Sequence, residues 1–274
     1  MLQRTFDPGS LIDRCDLALT TLYSKHAERQ RFVVRFQELI ASDDSLLRVV
    51  EARRDVLSYE SESFIPPQPD PAKPNLFFVV GNPAPKSVAL RAMYAHEGGG
   101  DKKRQHRFWK VLHTTSVLRF SQHDPDSYQP DEKMRRLYAG DYESPFNVHI
   151  VPFFSLPSPP GGPWGGVAGL RRLFGQQFQD VVYAELTAVR GLIDARAKAG
   201  DCVLVLQRDA YMALKQPDAP PYDGLLLRNA PIASHYARSV DLMCIPPTRL
   251  LYSRVTQSVL STQVARATTS ASPV

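Results

Sequence analysis

NLFFVVGNPAPKSVALRAMYAHEGGGDKKRQHRFWKVL, residues 75–112, sets an apolar strand, a polar turn and an aromatic-bearing helix in succession. The run Leu76, Phe77, Phe78, Val79 and Val80 is short and apolar throughout, the pattern of a strand buried on both faces. It breaks at Gly81-Asn82-Pro83, a strong turn signal. In an open α/β sheet the crevice beyond the carboxyl end of such a strand is where ligands bind, so this turn is the first candidate for a site.

Further apolar runs at residues 148–154, 203–206 and 225–227 read as strands, with helical patterns between them. The longest pattern, residues 176–198, places Phe178, Val181, Val182, Leu186, Val189 and Ile193 along one helix face. Doubly buried strands separated by helices predict a three-layer α/β/α fold around a short parallel sheet. Upstream, Leu11, Leu17, Leu19 and Leu22, then Phe32, Val33, Phe36, Leu39 and Ile40, then Leu46, Leu47, Val50 and Val56 recur at near-helical spacing, which predicts an N-terminal helical extension over residues 1–64. Ser10 and Asp13 form a capping-box-like start to it. The stretch PPQPDPAKP, residues 66–74, can neither continue a helix nor pair inside a sheet, so a stiff linker over residues 65–74 separates the extension from a core domain at 75–262. Residues 263–274 are expected to be a frayed tail.

With 274 residues, 43% of them hydrophobic, the chain suffices for one full-sized α/β domain with additions. A net charge of +5 and a pI near 9.1 suit a polyanionic partner without demanding one. Cys15, Cys202 and Cys244 are too few and too scattered for a disulfide framework or a C-x-x-C metal knuckle, so neither a metal cluster nor another cofactor is expected. No apolar run approaches the ~20 residues of a membrane span and the first residues lack the apolar core of a leader, so a cytoplasmic location without membrane contact is expected.

The strand, the Gly81-Asn82-Pro83 turn and the following Arg107-Phe108-Trp109 together resemble the first motif of the uracil-DNA glycosylase superfamily, in the branch with mismatch-specific uracil- and thymine-DNA glycosylases. Relatives carry one residue between the glycine and the asparagine, whereas here the two abut. Residues 201–214 look like the superfamily's third strand and the helix after it, with Gln207 in place of a usual glycine. The resemblance spans about residues 74–261 and implies a monofunctional, cofactor-independent enzyme that flips a base out of double-stranded DNA and hydrolyses its N-glycosidic bond.

That chemistry passes through an oxocarbenium-like state, so it needs a polar group to hold water near the anomeric carbon and a donor to steady the departing base. Asn82 is the candidate for the first role, because an amide at a strand end can accept from a water, and the resemblance gives the matching asparagine that role. Glu97 and Asp101 stand in reserve for water activation. Gly81, Pro83 and Tyr94 are candidates for the base pocket, Tyr94 as a stacking ring, and Phe153 or Phe154 is an alternative ring. Lys86, Ser87, Lys102, Lys103, Arg104 and Ser158 are candidates for phosphate contacts, the last from the loop LPSPPGGPWGG whose glycines permit close approach and a wide pocket. The superfamily's last motif has its nearest match at residues 228–238, RNAPIASHYAR, without the usual histidine. There Arg228 or Asn229 would stabilise the leaving base, Ile232 would wedge into the duplex, and Ser234, Tyr236 or Arg238 would grip phosphate.

Uracil is the default substrate of the superfamily, but the altered last motif, the basic insertion at residues 98–104, the helical N-terminus and the glycine-rich loop weaken a housekeeping assignment. The superfamily includes defence enzymes that act on hypermodified phage pyrimidines, and glucosylated hydroxymethylcytosine is carried as the specific expectation. A non-catalytic DNA-binding relative and an unrelated α/β hydrolase of small molecules are the competing classes.

Overall fold

The computed structural model describes residues 1–6, 12–53, 55–94, 107–120, 128–237 and 239–270. The chain begins with β1 (Leu2–Thr5) and β2 (Ile12–Ala18), then the single turn α1 (Leu19–Leu22) and α2 (His26–Ala41), then β3 (Val50–Ala52) and β4 (Val56–Glu62). These four strands form an antiparallel sheet of order β1-β2-β4-β3. The expected all-helical extension is therefore corrected: only α2 and short turns are helical, and residues 12–18 and 56–62 are strands. The reason lies in alternation. In β2 the side chains of Cys15 and Leu17 are buried while Arg14 and Asp16 are exposed, a period of two that outweighs the looser helical spacing of the leucines. Asp13 sits inside β2 rather than in a capping box, and Ser10 lies outside the described residues.

The proline-rich stretch leads from β4 into β5 (Asn75–Val80), followed by α3 (Pro85–Ala89), α4 (Arg107–Thr114), α5 (Pro130–Ala139), β6 (Asn147–Pro152), α6 (Gly166–Phe174), α7 (Phe178–Asp194), β7 (Cys202–Val205), α8 (Arg208–Leu214), β8 (Ile232–Ala237), β9 (Val240–Cys244) and α9 (Arg254–Ser270). The second sheet has the order β6-β5-β7-β9-β8, parallel throughout except for the edge strand β8, which runs antiparallel to β9. The fold is thus mixed α/β with a mostly parallel central sheet. Every residue of β5 and β6 is buried, as strands covered on both faces require.

Successive residues of β5 feed two separate cores. Phe77 and Val79 join Val203 and Val205 of β7, Leu170 and Leu173 of α6 and Val189 of α7, together with Leu17, Leu57 and Tyr59 of the N-terminal sheet. Leu76, Phe78 and Val80 pack on the opposite face against Phe108 and Trp109 of α4, Leu137 of α5 and Leu260 of α9. Burying each such side chain stabilises the fold by roughly 1.5–3 kcal/mol before entropy is counted.

The N-terminal sheet is tied to the central sheet by polar bonds as well. Arg4 pairs with Asp13 at 2.9 Å and with Glu185 of α7 at 3.6 Å, and its Nη1 donates to the carbonyl of Pro152 at the end of β6. Glu185 accepts from both the backbone nitrogen and the hydroxyl of Ser155. At the opposite end of the sheet, Asp201 accepts from the backbone and side-chain nitrogens of Asn75, each at 2.7 Å, which pins β5 beside β7.

Two further expectations are corrected. Residues 225–227 form no strand: Leu226–Arg228 is a turn of 3-10 helix with Leu225 and Leu226 exposed. Residues 263–270 are no frayed tail, since α9 continues to Ser270 and buries Gln263 and Ala267.

Candidate functional site

A cleft of about 680 Å³ opens at the carboxyl ends of β5, β6, β7 and β9, within the ~300–1,000 Å³ range of small-molecule sites. Its position follows from the topology, because in a parallel sheet the loops after adjacent strands diverge at that end. The loops are stitched together as extensions of the strands: Phe153 donates to the Val80 carbonyl, Phe154 to that of Gly81, Leu206 to that of Val79 and Ile245 to that of Val205.

Asn82 is half-buried on the cleft wall. Its Nδ2 donates to Ser158 Oγ at 2.7 Å and to the Pro83 carbonyl at 3.2 Å, and these two acceptors fix which end of the amide is nitrogen. Ser158, 1% exposed, passes the chain of bonds on to the Gly166 carbonyl, while its backbone nitrogen reaches the Pro83 carbonyl. The carboxamide oxygen has no such engagement among the described residues. Gly166 stands across from it with φ of +57°, and a Cβ there would come within 3.9 Å of Asn82 Oδ1. A glycine thus meets the left-handed backbone and leaves the space before the amide oxygen open.

Gly81, Pro83 and Tyr94 line the same cleft, as expected from the sequence, whereas Ser87 and Ser158, expected as phosphate contacts, are buried in its wall at 8% and 1% exposed. Tyr94 has φ of +52° and stacks on Phe108 with ring centroids 4.5 Å apart. Its phenol is held above the usual range first by burial and then by the charge of Glu62, and it is hydrogen-bonded to Thr248. Trp109 is a core residue whose indole donates to the Met93 carbonyl at 3.1 Å, so the Phe-Trp pair shapes the turn that carries Tyr94. Lys86 is exposed at the start of α3.

Other sequence candidates fall elsewhere. Phe153 and Phe154 are fully buried in the core beneath the cleft, packed edge-on against each other, so neither offers a face to a ligand. Arg228 and Asn229 border a different hollow, between the edge of the sheet and α9. Ile232 is 2% exposed within β8 and is no wedge. Tyr236 is buried too, its hydroxyl donating to Asp194 Oδ1 at 2.7 Å, and Ser234 is a half-buried edge-strand residue. The segment therefore fails as a last motif, because alternation draws it into the sheet. Glu97, Asp101, Lys102, Lys103, Arg104 and Arg238 lie outside the described residues.

The structure adds wall residues to which the sequence assigned no part in the site. Gln207 caps α8 by accepting from the Ala210 nitrogen, and Arg208 lies over the Tyr222 ring at 5.7 Å, all three on the cleft. Pro247 and Thr248 follow β9, and just beyond them Leu250 is 49% exposed. From the N-terminal sheet comes Glu62, the last residue of β4, 4% exposed and part of the same wall. Among the described residues its Oε2 has no hydrogen-bond partner, and burial, with a smaller contribution from the Asp13 charge, pushes its carboxyl up to about 8. The strand alternation through Leu57 and Tyr59 was the one local signal that residues 56–62 were not helical. No group of His, Cys, Asp or Glu suited to a metal occurs among the described residues.

No known family model matches this chain, and no curated protein matches it.

Proposed function

We propose that this cleft is the site of a monofunctional DNA glycosylase that receives a pyrimidine flipped from the duplex and hydrolyses its N-glycosidic bond. One observation carries the reading: Asn82 is tethered through its nitrogen to Ser158 and Pro83, leaving its oxygen to accept from a water at the mouth of the strand. Held in this way, the amide orients a water without reorganisation at the moment of attack. The same arrangement is what the resemblance of residues 75–112 to the uracil-DNA glycosylase superfamily implies.

The surroundings support it. Tyr94 and the proline-rich loop supply apolar walls, and two exposed cations, Arg208 on the cleft wall and Lys86 between the lining residues Ala84 and Ser87, would meet a phosphate backbone. Leu250, exposed beyond the end of β9, takes over from Ile232 as the apolar residue that would fill the gap left by an extruded base. A volume of about 680 Å³ accommodates more than a bare pyrimidine, which favours a substituted base over plain uracil.

The test is direct. Duplexes containing uracil, a G·T mismatch, hydroxymethylcytosine or its glucosylated form are incubated with the protein, and abasic sites are revealed by alkaline cleavage. Cleavage that Asn82→Ala removes supports the reading. A folded protein inert on every duplex defeats it; retained DNA affinity would then leave a non-catalytic binding role.

A further inference from the structure

We propose that Glu62 is the proton donor to the departing base, and that it makes cytosine-type bases the substrate class of the cleft. The proposal rests on the glycosylase reading and deepens it. Glu62 arrives from the N-terminal antiparallel sheet, outside the segment that resembles any glycosylase motif, yet it shares the cleft wall with Asn82, Tyr94 and Thr248. A carboxyl that is 4% exposed, with one oxygen unbonded among the described residues, has no structural use for its charge.

The groups around it keep the proton in place. Ile12 of β2 pairs with Glu62, and the neighbouring Asp13 adds a negative charge nearby, its carboxylate engaged by Arg4 of β1 and by the hydroxyl of Ser63. Arg4 in turn meets Glu185 of α7, and Tyr94 approaches Glu62 from the turn after α3. The cation is thus spent on Asp13 and Glu185. Glu62 is left beside a negative charge in a desolvated place, and both effects favour its neutral form up to about pH 8.

A neutral acid matters because of how bases leave. Uracil departs as an anion whose charge is spread over two carbonyls, and polar contacts suffice to steady it. Cytosine and its 5-substituted forms have one carbonyl and an amino group, and they leave well only when protonated. As the C1′–N bond breaks, its electron pair passes to the ring and the Glu62 proton neutralises that ring. Water held by Asn82 bonds to C1′, and the proton it sheds returns through solvent to Glu62. The sum is hydrolysis, with no other reactant consumed.

The experiment compares wild type, E62Q and Asn82→Ala on matched duplexes containing uracil or glucosylated hydroxymethylcytosine, in single turnover from pH 6 to 9.5. The expected result is wild-type cleavage of the cytosine substrate that falls as pH rises through about 8. E62Q, which keeps the shape, should lose on the order of 10²–10⁴-fold on that substrate, with no such alkaline limb. Any uracil cleavage should change less than about tenfold. Infrared difference spectra of the two proteins should show a protonated carboxylic acid band, absent in E62Q and lost above pH 8. Wild-type activity that E62Q retains with the same pH profile overturns the proposal and leaves the glycosylase reading standing, as does activity confined to uracil. A wild type inert on all duplexes, with Asn82→Ala equally inert, overturns both.

Discussion

Asn82 Nδ2 lies 2.7 Å from Ser158 Oγ, and that bond joins the loop after β5 to the loop after β6. It converts a mobile carboxamide into one with a fixed oxygen. Ser158→Ala removes the acceptor and frees the amide to rotate. We expect stability to fall by only about 0.5–1.5 kcal/mol while base release slows tenfold or more, as urea titration and single-turnover kinetics would measure.

Gly166 is the second half of that device. A Gly166→Ala substitution forces a Cβ into a backbone with φ of +57° and toward Asn82 Oδ1. The left-handed conformation costs about 1–2 kcal/mol, read as a lower melting temperature. Occupation of the space before the amide oxygen should lower kcat more than it raises KM.

Arg4 neutralises Asp13 and Glu185 in an interior where none of the three side chains meets solvent appreciably. Arg4→Met leaves two buried carboxyls without their cation, a change that typically costs about 3–5 kcal/mol. The loss should appear in urea unfolding at pH 7 and should shrink in acid, where the carboxyls take up protons.

Glu62 makes folding stability depend on pH with a definite sign. Its ordinary carboxyl value is 4.5 and its folded value is about 8, so between these limits the folded chain holds a proton that the unfolded chain has lost. Its contribution is complete below about pH 4.5 and disappears as pH rises through about 8. Wild type should therefore lose stability relative to E62Q between pH 5 and pH 9, and parallel curves for the two proteins would contradict this assignment.

Strands β5, β6 and β7 of the central sheet are legible in the sequence because they are short, largely apolar runs set off by turn residues. Asn82 and Tyr94 were found for the same reason: they follow a strand whose end is plain to see. The N-terminal sheet was missed because its strands carry charged residues, Asp13 and Glu62, on buried positions, which blurs the alternation that Cys15, Leu17, Leu57 and Tyr59 keep. The sequence pattern points to residues 228–238 for the segment that closes the cleft. The last parallel strand proves to be β9, whose sequence VDLMC includes an aspartate and reads weakly as a buried run. Glu62 could not be assigned from sequence at all, since its place on the wall depends on how one sheet lies against the other.

The intimacy of those two sheets has a practical corollary. Leu17, Leu57 and Tyr59 share a core with Phe77 and Val203 on the far side of the proline-rich bridge, and the bridge is itself held by Asn147, which bonds Asp70 and the Lys73 carbonyl. A polypeptide nicked between residues 66 and 74 should hold together, and two separately expressed halves should complement one another. The half from residue 75 onward would carry the cleft without Glu62, the one lining residue that the first half supplies among the described residues.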